Sequence, residues 1–265
     1  DAIRSRGLGD VYKRQGDDKD RVLLRENKEP TYYLTDVGYH KNKIDRNFDS
    51  YINIFGADHH GYIPRLTAAF DVMKKEHQNI EFLLYQLVNL YEEGVKKTMS
   101  TRRGEYFSLN DLREDLGPEV IKFFFLEKKS DHPMDFDIDL AKDESKNNPY
   151  FYAQYAYVRC CSILAKSSFD PTVEIDLNEI ENCYEITSKA INYPLILQEY
   201  ALERSPHSLV HFIKDFSATF HSFYEQNPVL SENKVTSNSR LLITSITKLI
   251  LKNSFKILNV KPLEK

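Results

Sequence analysis

"SYINIFGADHHGYIPRLTAAFDVMKK", residues 50–75, is the stretch on which the fold of the first part of the chain turns. Tyr51 to Phe55 is a short run rich in Ile and aromatic residues, the composition of a buried strand. Gly56 marks a tight turn, and Pro64 suits a first helical turn, where its missing N–H costs nothing, so a helix is expected from about Pro64. A strand, a turn and a helix in that order are the repeating unit of an α/β layer. Ligands of parallel α/β sheets sit beyond the carboxyl ends of strands, so Gly56 to Tyr62 becomes the first place to look for function.

Working outward, "RVLLRE" (21–26) and "TYYLTDVGYH" (31–40) read as extended segments. "IEFLLYQLVNLY" (80–91) is a continuous apolar run open to a buried strand or a helix, and the β-then-α alternation before it favours the strand. After Leu109 the character changes. "SLNDLREDLGPEVIKFFFLEKK" (108–129) has capping residues at Ser108 and Asn110, a stop at Gly117 and a restart at Pro118, which predicts two consecutive helices. Asp131 to Asp143 reads as an acidic, irregular connector. From Asn148 the pattern is helical almost to the end, with Pro149 opening a Tyr-rich helix and Ser205-Pro206 forming a cap and first turn. Leu209, Ile213, Phe216, Phe220 and Phe223 follow at spacings of four and three, one apolar helix face. The expected fold class is α/β plus all-α, an α/β domain followed by a helical bundle, with the boundary near residue 145. The first fifteen residues, "DAIRSRGLGDVYKRQ", are basic, lack apolar periodicity and a starting Met, and read as a non-native leader.

Composition excludes several classes. The chain has 265 residues, 41% hydrophobic and 29% charged, enough for one large core or two smaller ones. It contains no run of about 18 apolar residues, so a membrane-spanning protein is not expected. The formal net charge of -4 argues against nucleic-acid binding by bulk charge and leaves room for a local patch. Three cysteines, two of them adjacent at Cys160 and Cys161, form neither a disulfide framework nor a CxxC pattern; they read as small buried hydrophobes in a protein of a reducing, cytoplasmic compartment.

Three places carry candidate chemistry. In "GADHHGY" (56–62), Gly56 allows close backbone approach, Asp58 can accept from a ribose or a cation, and His59 and His60 can donate to oxygen anions or bind metal. The Asp-His-His triplet also suits a metal-dependent phosphoesterase, whose further aspartates have no convincing counterpart here. Asp36, with Tyr32, Tyr33 and Tyr39 around it, could pair with a guanidinium whose face the rings cover. In "KKTMSTRRGE" (96–105), Lys96, Lys97, Arg102 and Arg103 crowd a loop made supple by Gly94, Ser100, Thr101 and Gly104, a cationic loop suited to a triphosphate.

Six segments taken together, "GDDKDRVL", "PTYYLTDVGYHKNK", "IFGADHHGY", "KTMSTRRGEYFSL", "DFDIDLAKDESKNNPYFYAQYAYVR" and "SPHSLVHFIKDF", resemble in sequence and order the class I arginyl-tRNA synthetases, over Gly16 to Lys265. The resemblance implies residues 16–145 as the C-terminal half of a Rossmann-like nucleotide-binding catalytic domain and residues 146–265 as a helical anticodon-binding domain. It implies arginine-binding roles for Tyr32, Asp36, Tyr39 and His59, and ATP-binding roles for Gly56, Asp58, His59, Lys97, Met99 and Ser100. Thr98 to Arg102 lies where the family has its KMSKS-type loop, with Lys97, Ser100 and Arg102 as the catalytic candidates. Thr98 and Thr101 stand where that motif has lysines. Asn148, Tyr152, Gln154, Tyr155 and Arg159, on or near one helical face, are implied as tRNA-binding. Arginine-specific tRNA, ATP and arginine are the implied partners, with Mg2+ accompanying ATP and no tightly bound protein metal, in a cytoplasmic monomer. The family's HIGH signature does not occur in this sequence. The chain is therefore expected to be a fragment that does not charge tRNA alone, with a non-catalytic tRNA-binding module as the alternative reading.

Overall fold

The computed structural model describes residues 21–97 and 108–263. The chain divides into two compact units. One holds residues up to Leu87 with Ser130–Pro133, and the other holds Val88–Lys129 with Met134 onward.

The first unit is built on a β-α-β crossover. Helix α1 (Tyr32–Asp45) precedes strand β1 (Ser50–Gly56), a 3-10 turn (Ala57–Tyr62), helix α2 (Ile63–Met73) and strand β2 (Asn79–Tyr85). The strands β1 and β2 run parallel, with Ile52 opposite Glu81 and Ile54 opposite Leu83. The strand, turn and helix expected from residues 50–75 are all present, the turn being a full 3-10 segment. The reading of residues 31–40 as extended is corrected: they open α1. Thr31 caps the helix by accepting from the Leu34 N–H. Tyr33, His40 and Ile44 are buried and Val37 is partly so, at spacings of four, three and four, which is a helix face. Aromatic richness points to a strand, and burial of that face against Leu66, Ala68 and Ala69 of α2 prevails. "RVLLRE" contributes only an isolated bridge, Leu24 to Pro30, rather than a strand.

The second unit opens with β3 (Val88–Glu92) and β4 (Val95–Lys96), followed by α3 (Leu109–Leu116), α4 (Pro118–Glu127), β5 (Met134–Asp137) and α5 (Ile138–Lys142). Strand β3 pairs antiparallel with β4 and parallel with β5. The hairpin between β3 and β4 turns on Glu93 and Gly94, both at positive φ, the geometry that matches strand twist in a two-residue turn. Two expectations are corrected here. The apolar run 80–91 is not one strand: it breaks at Gln86 and Leu87, where the Gln86 N–H donates to Ser130 O, and its halves join different sheets. The segment 131–143 is not irregular. Met134 and Phe136 point inward between outward Asp135 and Asp137, a period of two obscured by the acidic residues, and Asp137 then caps α5.

Helices α6 (Pro149–Lys166), α7 (Leu177–Asn182), α8 (Tyr184–Glu203), α9 (Pro206–Gln226) and α10 (Lys234–Ile257) complete the unit. Ser108 and Asp111 form a reciprocal capping box on α3, and Gly117, at φ 77°, ends it before Pro118 starts α4. Pro206 occupies the first turn of α9 as expected, but the Ser205 side chain does not cap it; its hydroxyl lies 3.3 Å from that of Ser208. Leu209, Ile213, Phe216, Phe220 and Phe223 are all buried, in one apolar cluster that takes in Leu90 and Phe136 as well as Leu251 and Phe255. This cluster draws on both sides of residue 145, and the division by compactness falls between Leu87 and Val88. Cys160 and Cys183 are buried and Cys161 is half-buried, all as free thiols.

Candidate functional site

Helix periodicity places Tyr32, Asp36, Tyr39 and Lys43 along one face of α1, at steps of four, three and four. Tyr32 is 87% exposed and Tyr39 57%, whereas Asp36 is half-buried. The Asp36 carboxylate accepts a hydrogen bond from the Tyr62 hydroxyl, 2.8 Å from Oδ2. Tyr62 ends the 3-10 turn after β1, so one bond ties the helix carrying Asp36 to the strand end singled out from the sequence. Its ring meets Tyr33 edge-on at 6.1 Å, and the Arg65 guanidinium lies 5.6 Å from its centroid. Burial, reinforced by the Asp36 carboxylate, pushes the Tyr62 phenol above its usual range, so it remains a donor at physiological pH.

Behind that face lies a buried polar relay. His40 Nδ1 donates to Asp36 O at 2.8 Å, and His40 Nε2 accepts from the Asn53 amide at 2.9 Å. The Asn53 Oδ1 accepts in turn from the Lys43 ammonium. His40 and Asn53 are nearly inaccessible. Burial holds the imidazole below its usual range; the Asp36 carbonyl opposes this and the Lys43 charge reinforces it. A protonated His40 would set an N–H against the Asn53 amide donors, and a flipped amide would set its own donors against Lys43. The relay therefore fixes one tautomer and one helix position.

Gly56 ends β1, and Asp58 and His59 follow it in the 3-10 turn. A side chain at Gly56 would bring its Cβ to 2.5 Å from Asp58 Oδ1, closer than atoms approach. The Asp58 and His59 side chains are exposed, 3.6 Å apart, and the His59 ring lies 5.6 Å from that of Phe55. Among the described residues no three His, Cys, Asp or Glu side chains converge as metal ligands.

In the second unit, Lys97 follows the β3–β4 hairpin. Its N–H donates to Leu90 O at 2.8 Å and its ammonium pairs with Glu92 at 2.6 Å, with Lys142 on the other Glu92 oxygen at 3.5 Å. These two cations, Lys97 foremost, hold the Glu92 carboxyl below its usual range. Met99, Ser100 and Arg102 lie outside the described residues.

Helix α6 separates its five candidates. Tyr152, Tyr155 and Arg159 share a face. Asn148 is fully buried, capping the helix at Tyr150 N and donating to Leu140 O and Ala141 O. Gln154 is also fully buried, bonded to Lys261 O and Leu263 N, so the expectation of one shared face is corrected for it. The Arg159 guanidinium covers the Tyr224 ring at 4.6 Å and donates to His221 Nδ1 at 3.2 Å. His221 Nε2 donates to Tyr152 O, and its ring lies 4.5 Å from that of Tyr152. Beside Tyr152 is a cleft of about 380 Å³ lined by Glu127, Leu140, Lys146, Asn147, Pro149 and Lys214.

Sequence reasoning does not single out Tyr62, although it closes the quoted "GADHHGY". Nor does it reach His40, Asn53 and Lys43, because the bonds joining them follow from a helix that the sequence does not suggest.

Comparison with known proteins adds a consistent finding. Residues 153–265 match the DALR anticodon binding domain. The chain is 40% identical over 256 residues to the arginine–tRNA ligase of Bacillus velezensis, covering 94% of this chain and 46% of the relative. It is 41% identical over 265 residues to that of Vesicomyosocius okutanii, covering 96% and 46%. The chain thus spans about half the length of the curated relatives it matches. A solved Campylobacter jejuni structure described as an arginyl-tRNA synthetase superposes with a TM-score of 0.81 at 28% identity, covering 96% of this chain and 56% of that one. The Thermus thermophilus arginyl-tRNA synthetase shares the fold, with a TM-score of 0.74 at 17% identity over 92% of this chain and 50% of that one.

Proposed function

We propose, from the premise that this chain belongs to the arginine–tRNA ligase family, that it supplies the arginine-holding and tRNA-holding parts of arginyl-tRNA formation. The observation that carries the reading is the Asp36 carboxylate on an aromatic-flanked helix face, one oxygen held by Tyr62. Asp36 would pair with the substrate guanidinium, which is planar and suited to a carboxylate, while Tyr32 and Tyr39 flank it. His59 would border the arginine, and Gly56 and Asp58 the adenosine. Lys97, Met99, Ser100 and Arg102 would steady the ATP phosphates, whose charge grows as pyrophosphate leaves. Mg2+ would arrive on the ATP phosphates rather than in a protein cage.

Residues 146–265 would serve the anticodon, with Tyr152, Tyr155 and Arg159 offering rings and a cation to unpaired bases and phosphates. Asn148 and Gln154 would support that helix from inside. The chain covers 46% of its relatives' length, and we expect it to bind tRNA without completing aminoacylation.

Binding to arginine-specific tRNA, against a mismatched-anticodon control and at two salt concentrations, tests the reading. Selective binding that weakens with salt is expected. Equal binding to both RNAs would overturn the anticodon assignment, and arginyl-tRNA formation by the chain alone would overturn the expectation of no catalysis.

A further inference from the structure

We propose that Tyr62 is a positioning residue for guanidinium specificity, acting through Asp36; this rests on the reading of Asp36 as the arginine-holding carboxylate. A carboxylate on a short side chain can rotate about its last torsion, and a rotating carboxylate accepts a compact ammonium almost as well as a planar fork. The Tyr62 hydroxyl donates to Oδ2 at 2.8 Å and fixes the plane of the group. Among the described residues no hydrogen bond to Oδ1 is present, so Oδ1 keeps both lone pairs and Oδ2 keeps one, enough to meet two parallel N–H donors. A guanidinium supplies those two donors in a fixed fork, whereas an ammonium supplies a point charge that gains nothing from a fixed plane.

Tyr62 is itself held from three sides. Its backbone ends the 3-10 turn after β1, the Tyr33 ring abuts it edge-on, and the Arg65 guanidinium lies over its face. Tyr33 is anchored by its own hydroxyl, which donates to Arg65 O at 3.1 Å. The plane of Asp36 is therefore set by β1 and α2 as well as by its own helix, where His40 Nδ1 fixes the Asp36 carbonyl.

The experiment is calorimetric binding of arginine and of lysine to the full chain, in the parent, Tyr62→Phe, Tyr33→Phe and Asp36→Ala. Tyr62→Phe keeps the ring and removes only the donor. It should weaken arginine about tenfold, the scale of one hydrogen bond to a charged group, and leave lysine unchanged, so that the arginine-to-lysine ratio collapses. Tyr33→Phe leaves the Tyr62 donor in place and loosens only the ring that abuts it, so it should lower the ratio by less than Tyr62→Phe does. An unchanged ratio in Tyr62→Phe, or equal losses for both amino acids, would overturn the proposal while leaving the arginine site standing. No arginine binding by the parent, or binding that survives Asp36→Ala, would overturn the arginine reading and this proposal with it. Should Tyr62→Phe fail to fold, ring-labelled tyrosine in the parent decides the matter: the Tyr62 resonance should shift with arginine and stay still with lysine, and equal shifts would overturn the proposal.

Discussion

Phe123, Phe136, Phe216, Phe220 and Phe255 are all fully buried in the larger unit. Among the described residues of the smaller unit only one phenylalanine, Phe70, is buried; the rest of its interior is Tyr33, Ile44, Tyr51, Leu66, Ala68 and Ala69, with His40, Asn53 and Gln78 buried among them. Gln78 donates to Ile44 O and to the Tyr51 hydroxyl and accepts from Lys75 N, while Tyr51 reaches Ile44 O. These bonds converge on α1 and the strand beside it. Apolar contacts are non-directional and stabilise many nearly equivalent arrangements, whereas a hydrogen bond specifies a distance and an angle. Both interiors hold such bonds, those of Asn148, Gln154 and Asn238 in the larger unit among them, and the difference lies in bulk: buried phenylalanines fill the larger core, whereas α1 in the smaller unit is held largely by the bonds of His40, Asn53 and Gln78.

The sharpest way to break that contrast is to remove bulk from the larger core. Phe220→Ala should cost about 3–5 kcal/mol, the loss of transfer free energy plus an unfilled cavity, read as a fall in the denaturant midpoint. A loss no larger than that of a surface substitution would mean that this core rearranges freely. The contrast itself predicts that arginine binding at the smaller unit outlasts this change under conditions where both units stay folded.

An intermediate effect is expected in the relay. Asn53→Ala leaves His40 Nε2 and the Lys43 ammonium without their partner, which should cost about 1–3 kcal/mol. It should also change the acid response. Burial holds His40 below its ordinary value, so the stability it contributes is fully present above the unfolded histidine value of about 6.5 and is lost as pH falls through the depressed folded value. Histidine ring NMR follows this directly. In the variant the His40 titration should move back toward the ordinary value; an unmoved titration would show that Asn53 does not hold the tautomer. His221, also lowered chiefly by burial, is the internal reference and should not respond.

Much of the larger unit was legible because its determinants are local. Gly117-Pro118, Pro149 behind Asn148, and the 209–223 apolar face each encode a helix end or a buried stripe within a few residues. The strand, turn and helix around Gly56 were legible for the same reason. What escaped was decided at a distance. Helix α1 forms because Tyr33, Val37, His40 and Ile44 find an interior to face, and its aromatic content alone points to a strand. The run 80–91 is divided because Gln86 meets Ser130, and β5 exists because Met134 and Phe136 pair beside Val88 and Leu90. Of the candidate site, Asp36 and its flanking tyrosines were visible as residue types, but Tyr62 and His40 acquire their roles only through bonds across 26 and 13 residues.

The smallest effect is expected where a charged contact resembles the relay but is not enclosed. Glu92 binds Lys97 at 2.6 Å and Lys142 at 3.5 Å, yet all three side chains reach water. Ion pairs in that setting gain little because solvent and salt screen them and two long side chains must be ordered. Glu92→Gln should therefore leave the thermal midpoint of the larger unit unchanged within measurement error, in low salt as well as high. It should instead release Lys97, so that any binding of ATP or inorganic triphosphate to the chain strengthens as salt is lowered. A clear loss of stability in Glu92→Gln would show that a water-exposed ion pair holds this unit as its phenylalanine core does, and the contrast drawn from bulk would fail at its edge.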